Sequence, residues 1–185
     1  MEYKVAELSD IESTLKLHYK YQVDSIDKKD KKDGFITTPF TKKQLANLIN
    51  NEKGLFVAKK DGCVIAYAMS ASWKFWSIWP MFTYMIEELP KLNYLGQTLS
   101  IKNSYQYGPI CVDKKVRGSG VFEKTFNLAR KEMMKRYPIL VTFINKNNPR
   151  SYEAHTRKLG LEVIHEFKFN NNYYYELVYD TSKEV

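Results

Sequence analysis

Apolar and polar positions along the chain switch repeatedly between a period of two and a period near three and a half. Tyr3 to Ala6 predicts a short strand, and Ser9 or Asp10 can then cap a helix carrying Ile11, Leu15, His18 and Tyr19 on one face. Thr41 and Gln44 stand at capping-box spacing, with Leu45, Leu48 and Ile49 as the buried stripe of a second helix closed by Gly54. Leu55 to Ala58 and Val64 to Ser72, joined through Lys59-Lys60-Asp61-Gly62, predict a hairpin. Tyr105 to Val112 predicts a strand, Gly120 to Arg136 a helix with Phe122, Phe126, Ala129 and Met133 inward, and Ile139 to Ile144 another strand. A crossover of that length joins parallel strands, so those starting at 105 and 139 are expected side by side and parallel. Pro149 to Leu159 predicts a short helix stopped by Gly160, and Leu161 to Phe169 with Tyr173 to Val178 a last hairpin around Asn170-Asn171-Asn172.

The expected architecture is therefore α/β: one domain over residues 1–185, with a central mixed, mostly antiparallel sheet of about seven strands and about four or five helices. Residues 73–104 form an aromatic-rich insertion, partly helical, in which Trp73, Phe75, Trp76, Trp79, Phe82, Tyr84 and Tyr94 accompany Glu87 and Glu88. Such a stripe belongs to a core, to a two-fold contact that would make a homodimer, or to the wall of a ligand pocket. The run from Asp27 to Gly34 mixes both charge signs and reads as a solvated loop with no nucleic-acid role.

Composition narrows the function classes. With 29 Lys and Arg against 21 Asp and Glu in 185 residues, the net charge of +8 admits an anionic ligand. The basic residues are scattered among the acids, with no dense stripe and no aromatic RNA motif, which disfavours nucleic acid. Cys63 and Cys111 form neither a CxxC pair nor a disulfide framework, so the sequence implies no metal and fits a cytoplasmic, reducing compartment. No apolar signal core opens the chain and no run approaches a membrane span, so export and membrane insertion are not expected.

The chemistry is concentrated in Ile110-Cys111-Val112-Asp113-Lys114-Lys115-Val116-Arg117-Gly118-Ser119-Gly120-Val121-Phe122, an apolar strand running through a basic, glycine-containing turn into a helix. Helix N-termini present unpaired N–H groups and the positive end of the macrodipole, and glycines let a phosphate approach the backbone. Arg117 adds a charged fork. Gly120 is followed by Val121-Phe122 where a Walker A loop would need Lys-Ser/Thr, and Glu123 stands where a dinucleotide fingerprint needs its third glycine.

The string resembles motif A of the GNAT superfamily of N-acetyltransferases, Arg/Gln-x-x-Gly-x-Gly/Ala. Arg117 and Gly120 match, and Phe122 departs at the last position. The stretch from Asn148 to Leu161 resembles the second motif region of that superfamily, and the order of elements agrees with its topology except at 73–104. The resemblance implies an acetyl-CoA-dependent N-acetyltransferase acting on a primary amine of a small molecule or protein by direct attack in a ternary complex. It implies that Arg117, Gly118, Ser119, Gly120, Val121 and Phe122 hold the pyrophosphate, and that Ile110 and Val112 pair with the pantetheine arm, with Asn148 and Ser151 as further cofactor contacts.

The family supplies the leaving thiolate's proton from a tyrosine about seven residues past an asparagine. Counting from Asn148 reaches His155 and counting from Asn145 reaches Tyr152, so His155 is the first candidate and Tyr152 the second. No general base and no acceptor identity can be read. Glu87 and Glu88 beside aromatics would suit a cationic amine. The contrasting reading is an inactive GNAT-fold module that binds nucleic acid or a protein partner.

Overall fold

The periodicities translate into nine strands and six α-helices among the described residues, which in the computed structural model are 1–29 and 31–185. In chain order they are β1 (Glu2–Val5), α1 (Ile11–Tyr21), α2 (Lys42–Asn47), β2 (Leu55–Lys60), β3 (Cys63–Ala71), α3 (Trp73–Trp76), α4 (Pro80–Glu88), β4 (Asn93–Tyr94), β5 (Gln97–Thr98), β6 (Ser104–Val112), α5 (Val121–Met133), β7 (Ile139–Asn145), α6 (Pro149–Glu153), β8 (Glu162–Phe169) and β9 (Asn172–Asp180). Seven strands form one sheet in the order β1-β2-β3-β6-β7-β9-β8. β6 and β7 run parallel, as the crossover requires, while β1–β2, β2–β3, β7–β9 and β8–β9 are antiparallel. Among the described residues no helix is long and apolar enough to cross a membrane.

The chain divides into two compact units, Met1–Ser70 with Gly108–Arg130 and Ala71–Tyr107 with Lys131–Val185. In the first, alternation along the strands sends Tyr67 of β3 toward His18 of α1, and Ala66 with its cross-strand partner Ala58 toward Val121 of α5. Helix α2 starts on the expected reciprocal cap, Gln44 N–H donating to Thr41 Oγ1 at 3.2 Å and Thr41 N–H to Gln44 Oε1 at 2.8 Å.

In the second unit the insertion is spent on that unit's own core. Trp73 and Trp76 are 1% and 0% exposed, and their indole N–H groups donate to Ser104 Oγ at 3.0 Å and the Gln106 carbonyl at 3.2 Å. Phe82 of α4 meets Phe143 of β7 at 5.6 Å and Tyr84 meets Phe167 of β8 at 5.5 Å. Of the side chains that suggested a two-fold contact, Trp73, Trp76 and Phe82 are buried, while Phe75, Trp79, Tyr84 and Tyr94 are half-buried. The β4–β5 ribbon escaped the sequence reading because Leu95, at φ 52°, takes a left-handed turn position where asparagine or glycine would have signalled it.

Candidate functional site

Two groups of expected site residues are defined, one in each unit. In the first, Asp113 follows β6 and its Oδ1 accepts the Lys115 N–H at 3.0 Å, turning the chain toward α5. Gly118 and Gly120 have φ of 80° and 79°, which L side chains rarely adopt, and a Cβ on either would meet nothing within 4 Å. Open space thus lies against the backbone just before α5, where N–H groups lack helical partners and the helix dipole is positive. A diphosphate fits this cradle. Ser119 folds back onto the Val116 carbonyl at 2.7 Å. Val121 is buried, and half-buried Phe122 packs against Ala58, Ala66, Val112 and Val121. Its ring therefore adds to the core beside α5, which is how a bulky residue is accommodated at that motif position.

Arg117 is already engaged within its own unit. Its Nε donates to the Val112 carbonyl at 3.0 Å and its Nη1 to the Asp33 carbonyl at 2.7 Å, while the guanidinium lies 5.2 Å from the centre of the Tyr21 ring. The Tyr21 hydroxyl accepts the Lys114 N–H at 2.8 Å, Lys20 pairs with Asp113 at 2.7 Å, and Lys114 pairs with the Asp33 carboxylate. The charged run expected as a solvated loop is thus partly engaged: Lys28–Asp33 is a 3-10 turn fastened by Asp33 to the motif turn. A cleft of about 540 Å³ opens here, lined by Lys20, Tyr21, Ile26, Asp33, Lys114 and Lys115.

On β6, Ile110 is half-buried, Val112 is buried, and Cys111 is enclosed so that burial pushes its thiol up to about 12. That thiol stays protonated at neutral pH.

In the second unit the parallel ladder between β6 and β7 covers only Ser104–Ile139, Tyr105–Leu140 and Gln106–Val141. The next β6 carbonyl, on Tyr107, is taken by side chains, Thr142 Oγ1 at 2.6 Å and Gln106 Nε2 at 2.7 Å. Helix α6 follows β7 and is capped by Asn148, whose Oδ1 accepts the Ser151 N–H at 3.2 Å. Ser151 in turn faces His155: the His155 Nδ1 lies 2.7 Å from the Ser151 carbonyl and 3.3 Å from its Oγ. A carbonyl can only accept, so Nδ1 carries the proton and Nε2 of the neutral ring is the acceptor. Burial drives the His155 pKa down to about 4 against the opposing Ser151 bond, so the ring is neutral at physiological pH. Its ring meets Tyr107 edge-on at 5.9 Å. Tyr152 is half-exposed and lies on the Tyr175 ring at 4.6 Å.

The structure thus gathers Val112, Arg117, Gly118, Ser119, Gly120, Val121 and Phe122 at one turn, and Asn148, Ser151 and His155 at one helix end, with Tyr152 on the same helix facing β9. Sequence reasoning missed Tyr21 and Asp33, whose partners are far along the chain. It also missed Glu176, a lone carboxylate in the apolar strand Tyr173 to Val178, which is 1% exposed. Among the described residues no three His, Cys, Asp or Glu side chains come together as a metal site would require.

No family model matches the chain, and no curated protein matches it in sequence. Solved structures do match. A Streptococcus mutans UA159 protein superposes with a TM-score of 0.67 at 18% identity, over 98% of this chain and 99% of that one. An N-acetyltransferase from Staphylococcus aureus Mu50 gives 0.60 at 18%, over 97% and 98%. A Salmonella typhimurium protein solved with its cofactor acetyl-CoA gives 0.62 at 13%, over 100% and 96%. With the strand order and the strand-turn-helix after β6, these likenesses define the class: the chain has the GNAT N-acetyltransferase fold.

Proposed function

We propose that this chain is an acetyl-CoA-dependent N-acetyltransferase that acts on a primary amine of a small molecule or protein by direct attack, residues 1–185 working as one catalytic domain in the cytoplasm. The observation that carries the reading is the pair Gly118 and Gly120, which leaves the backbone open at the positive end of α5 in a chain of this fold. Acetyl-CoA, when bound, supplies an activated acetyl thioester.

The chain's residues bind and orient. The N–H groups from Gly118 to Phe122 hold the diphosphate, and the backbone of Ile110 and Val112 holds the pantetheine arm, the Val112 N–H serving to polarise the acetyl carbonyl. Asn148 and Ser151 fix the end of α6 as a further cofactor contact. Catalysis is chiefly positioning of amine against thioester. The leaving sulfur takes its proton from Tyr152, because neutral His155 already commits its one N–H to the Ser151 carbonyl. His155 then serves to set the helix that carries Tyr152.

Calorimetry tests the reading. The wild-type protein is expected to bind acetyl-CoA, and Gly120→Asp, which puts a carboxylate against the diphosphate, to weaken binding by about a hundredfold or more. No binding by a folded wild-type protein, or equal binding by a folded Gly120→Asp variant, overturns it.

A further inference from the structure

Glu176 of β9 is a charged group in an apolar setting. It is 1% exposed, and its Oε1 has no hydrogen-bond partner among the described residues. Such a group destabilises the fold unless something satisfies it. Register fixes its neighbours. Phe143 is its cross-strand partner on β7 and His165 on β8, and Tyr174 lies two residues back on the same face. Phe143 meets Tyr174 at 5.5 Å and Phe82 of α4 at 5.6 Å, and Phe82 meets Trp76 at 4.9 Å. From α4, the half-buried Glu88, itself paired with Lys91 at 2.7 Å, adds a second negative charge that Glu176 feels.

A second orphan points the same way. Gln106 of β6 is 1% exposed, and its Oε1 also lacks a partner among the described residues. It pairs in register with Val141, two residues from Phe143, and so shares the face that carries Glu176. Two buried oxygens that can accept, neither with a hydrogen-bond partner among the described residues, lie on the face that carries the rings of Phe143 and Tyr174, and π faces favour a cation.

We propose that Glu176 is the specificity-determining residue of the acceptor site, and that the acceptor is an aliphatic amine recognised as its ammonium by this carboxylate and the rings of Phe143, Tyr174 and Phe82. The proposal rests on the acetyltransferase reading for the word acceptor, but the binding it asserts is measurable without turnover. An ammonium brings N–H donors to Oε1 and positive charge to a place that already holds two carboxylates. A neutral alcohol of the same length brings neither. Glu87, the neighbour of Glu88 in sequence, is exposed.

All three tryptophans of the chain, Trp73, Trp76 and Trp79, lie in α3 or at the start of α4, so intrinsic fluorescence reports on this region. At pH 8 the wild-type protein is titrated with n-butylamine, putrescine, spermidine and n-butanol. A saturable change with at least one amine and none with n-butanol is expected. Glu176→Gln is expected to weaken that amine about tenfold or more, and Glu176→Asp to restore part of the loss. No response to any amine, an equal response to n-butanol, or unchanged affinity in Glu176→Gln overturns the proposal. Far-ultraviolet circular dichroism establishes that each variant is folded. Acetyl-CoA binding measured on the same samples keeps the two claims apart: its loss in the wild type sinks the transferase reading, while the amine titration decides the ammonium site.

Discussion

The guanidinium of Arg117 lies 5.2 Å from the centre of the Tyr21 ring and spends two of its N–H groups on the carbonyls of Val112 and Asp33. One side chain therefore ties the end of α1 and the turn at Lys28–Asp33 to the turn that precedes α5. The residue whose charge the sequence offers to an anion also acts in this structure as a fastener.

Arg117→Ala is accordingly expected to free the Lys28–Asp33 turn and to lower stability by about 3 kcal/mol, the net worth of two hydrogen bonds from a charged donor to backbone carbonyls. Trypsin should cut after Lys28, Lys29, Lys31 or Lys32 several times faster than in the wild type. Arg117→Lys, which keeps the charge and loses the planar fork, should resemble the alanine variant. An unchanged cleavage rate in both would show that the clasp does not hold the turn.

Phe122 offers a different contrast. Because its ring packs on Ala58, Ala66, Val112 and Val121, Phe122→Ala is expected to cost about 2 kcal/mol of stability through lost apolar burial. Its affinity for acetyl-CoA should change less than about threefold, since the cradle is built from backbone. Thermal melting and calorimetry on one preparation separate the two effects. A large loss of affinity at unchanged stability would place the ring over the ligand instead.

His155 gives a pH signature. Its pKa falls from 6.5 unfolded to about 4 folded, so between those values the unfolded chain binds more protons and stability declines as pH falls from 6.5 toward 4. The full effect is about 3 kcal/mol. His18, buried against Tyr67 with its pKa also near 4, adds a slope of the same sign, so the measurement is a difference between proteins. In His155→Asn the amide nitrogen can replace Nδ1 toward Ser151, and the acid-limb slope between pH 6.5 and 4 should shrink by about one proton. An identical slope in denaturant melts of both proteins would mean that His155 titrates normally.

The strands were legible because each alternates or runs apolar between strong turn signals: all seven sheet strands begin within one residue of the expected positions. The turn at Gly118 and Gly120 was legible for a similar reason, since positive φ at the mouth of a helix demands a residue type that sequence displays directly. The engagement of Arg117 was not legible because its charge is visible in sequence and its partners are not; Asp33 lies 84 residues away. The insertion hid its burial in the same way. Trp73 and Trp76 look alike whether they cover a second subunit or donate to Ser104 and Gln106, and only the fold brings those acceptors to them. Glu176 was passed over as one polar letter in an apolar strand, although a lone carboxylate there is the kind of local conflict that marks a site.

That conflict makes a prediction about stability whose sign is opposite to that of His155. Burial, and secondarily the charge of Glu88, raises the Glu176 pKa from 4.5 to about 7. The folded state therefore holds a proton that the unfolded chain has lost throughout this window. Stability contributed by Glu176 is greatest at or below pH 4.5 and is given up as pH rises to about 7, after which the penalty of an ionised buried carboxylate is constant. Two and a half units correspond to about 3 kcal/mol. Glu176→Gln keeps the shape and cannot ionise, so it should be more stable than the wild type at pH 8, by an amount that shrinks as pH falls and vanishes near 4.5. Glu88→Gln, which removes the nearby charge and leaves the burial, should shift the window down by less. Urea melts of the three proteins from pH 4.5 to 8 measure this directly. A Glu176→Gln protein that is less stable at pH 8, or a difference that does not vary with pH, would mean that Glu176 meets water or a donor in the folded chain and is not the buried acceptor that an ammonium would complete.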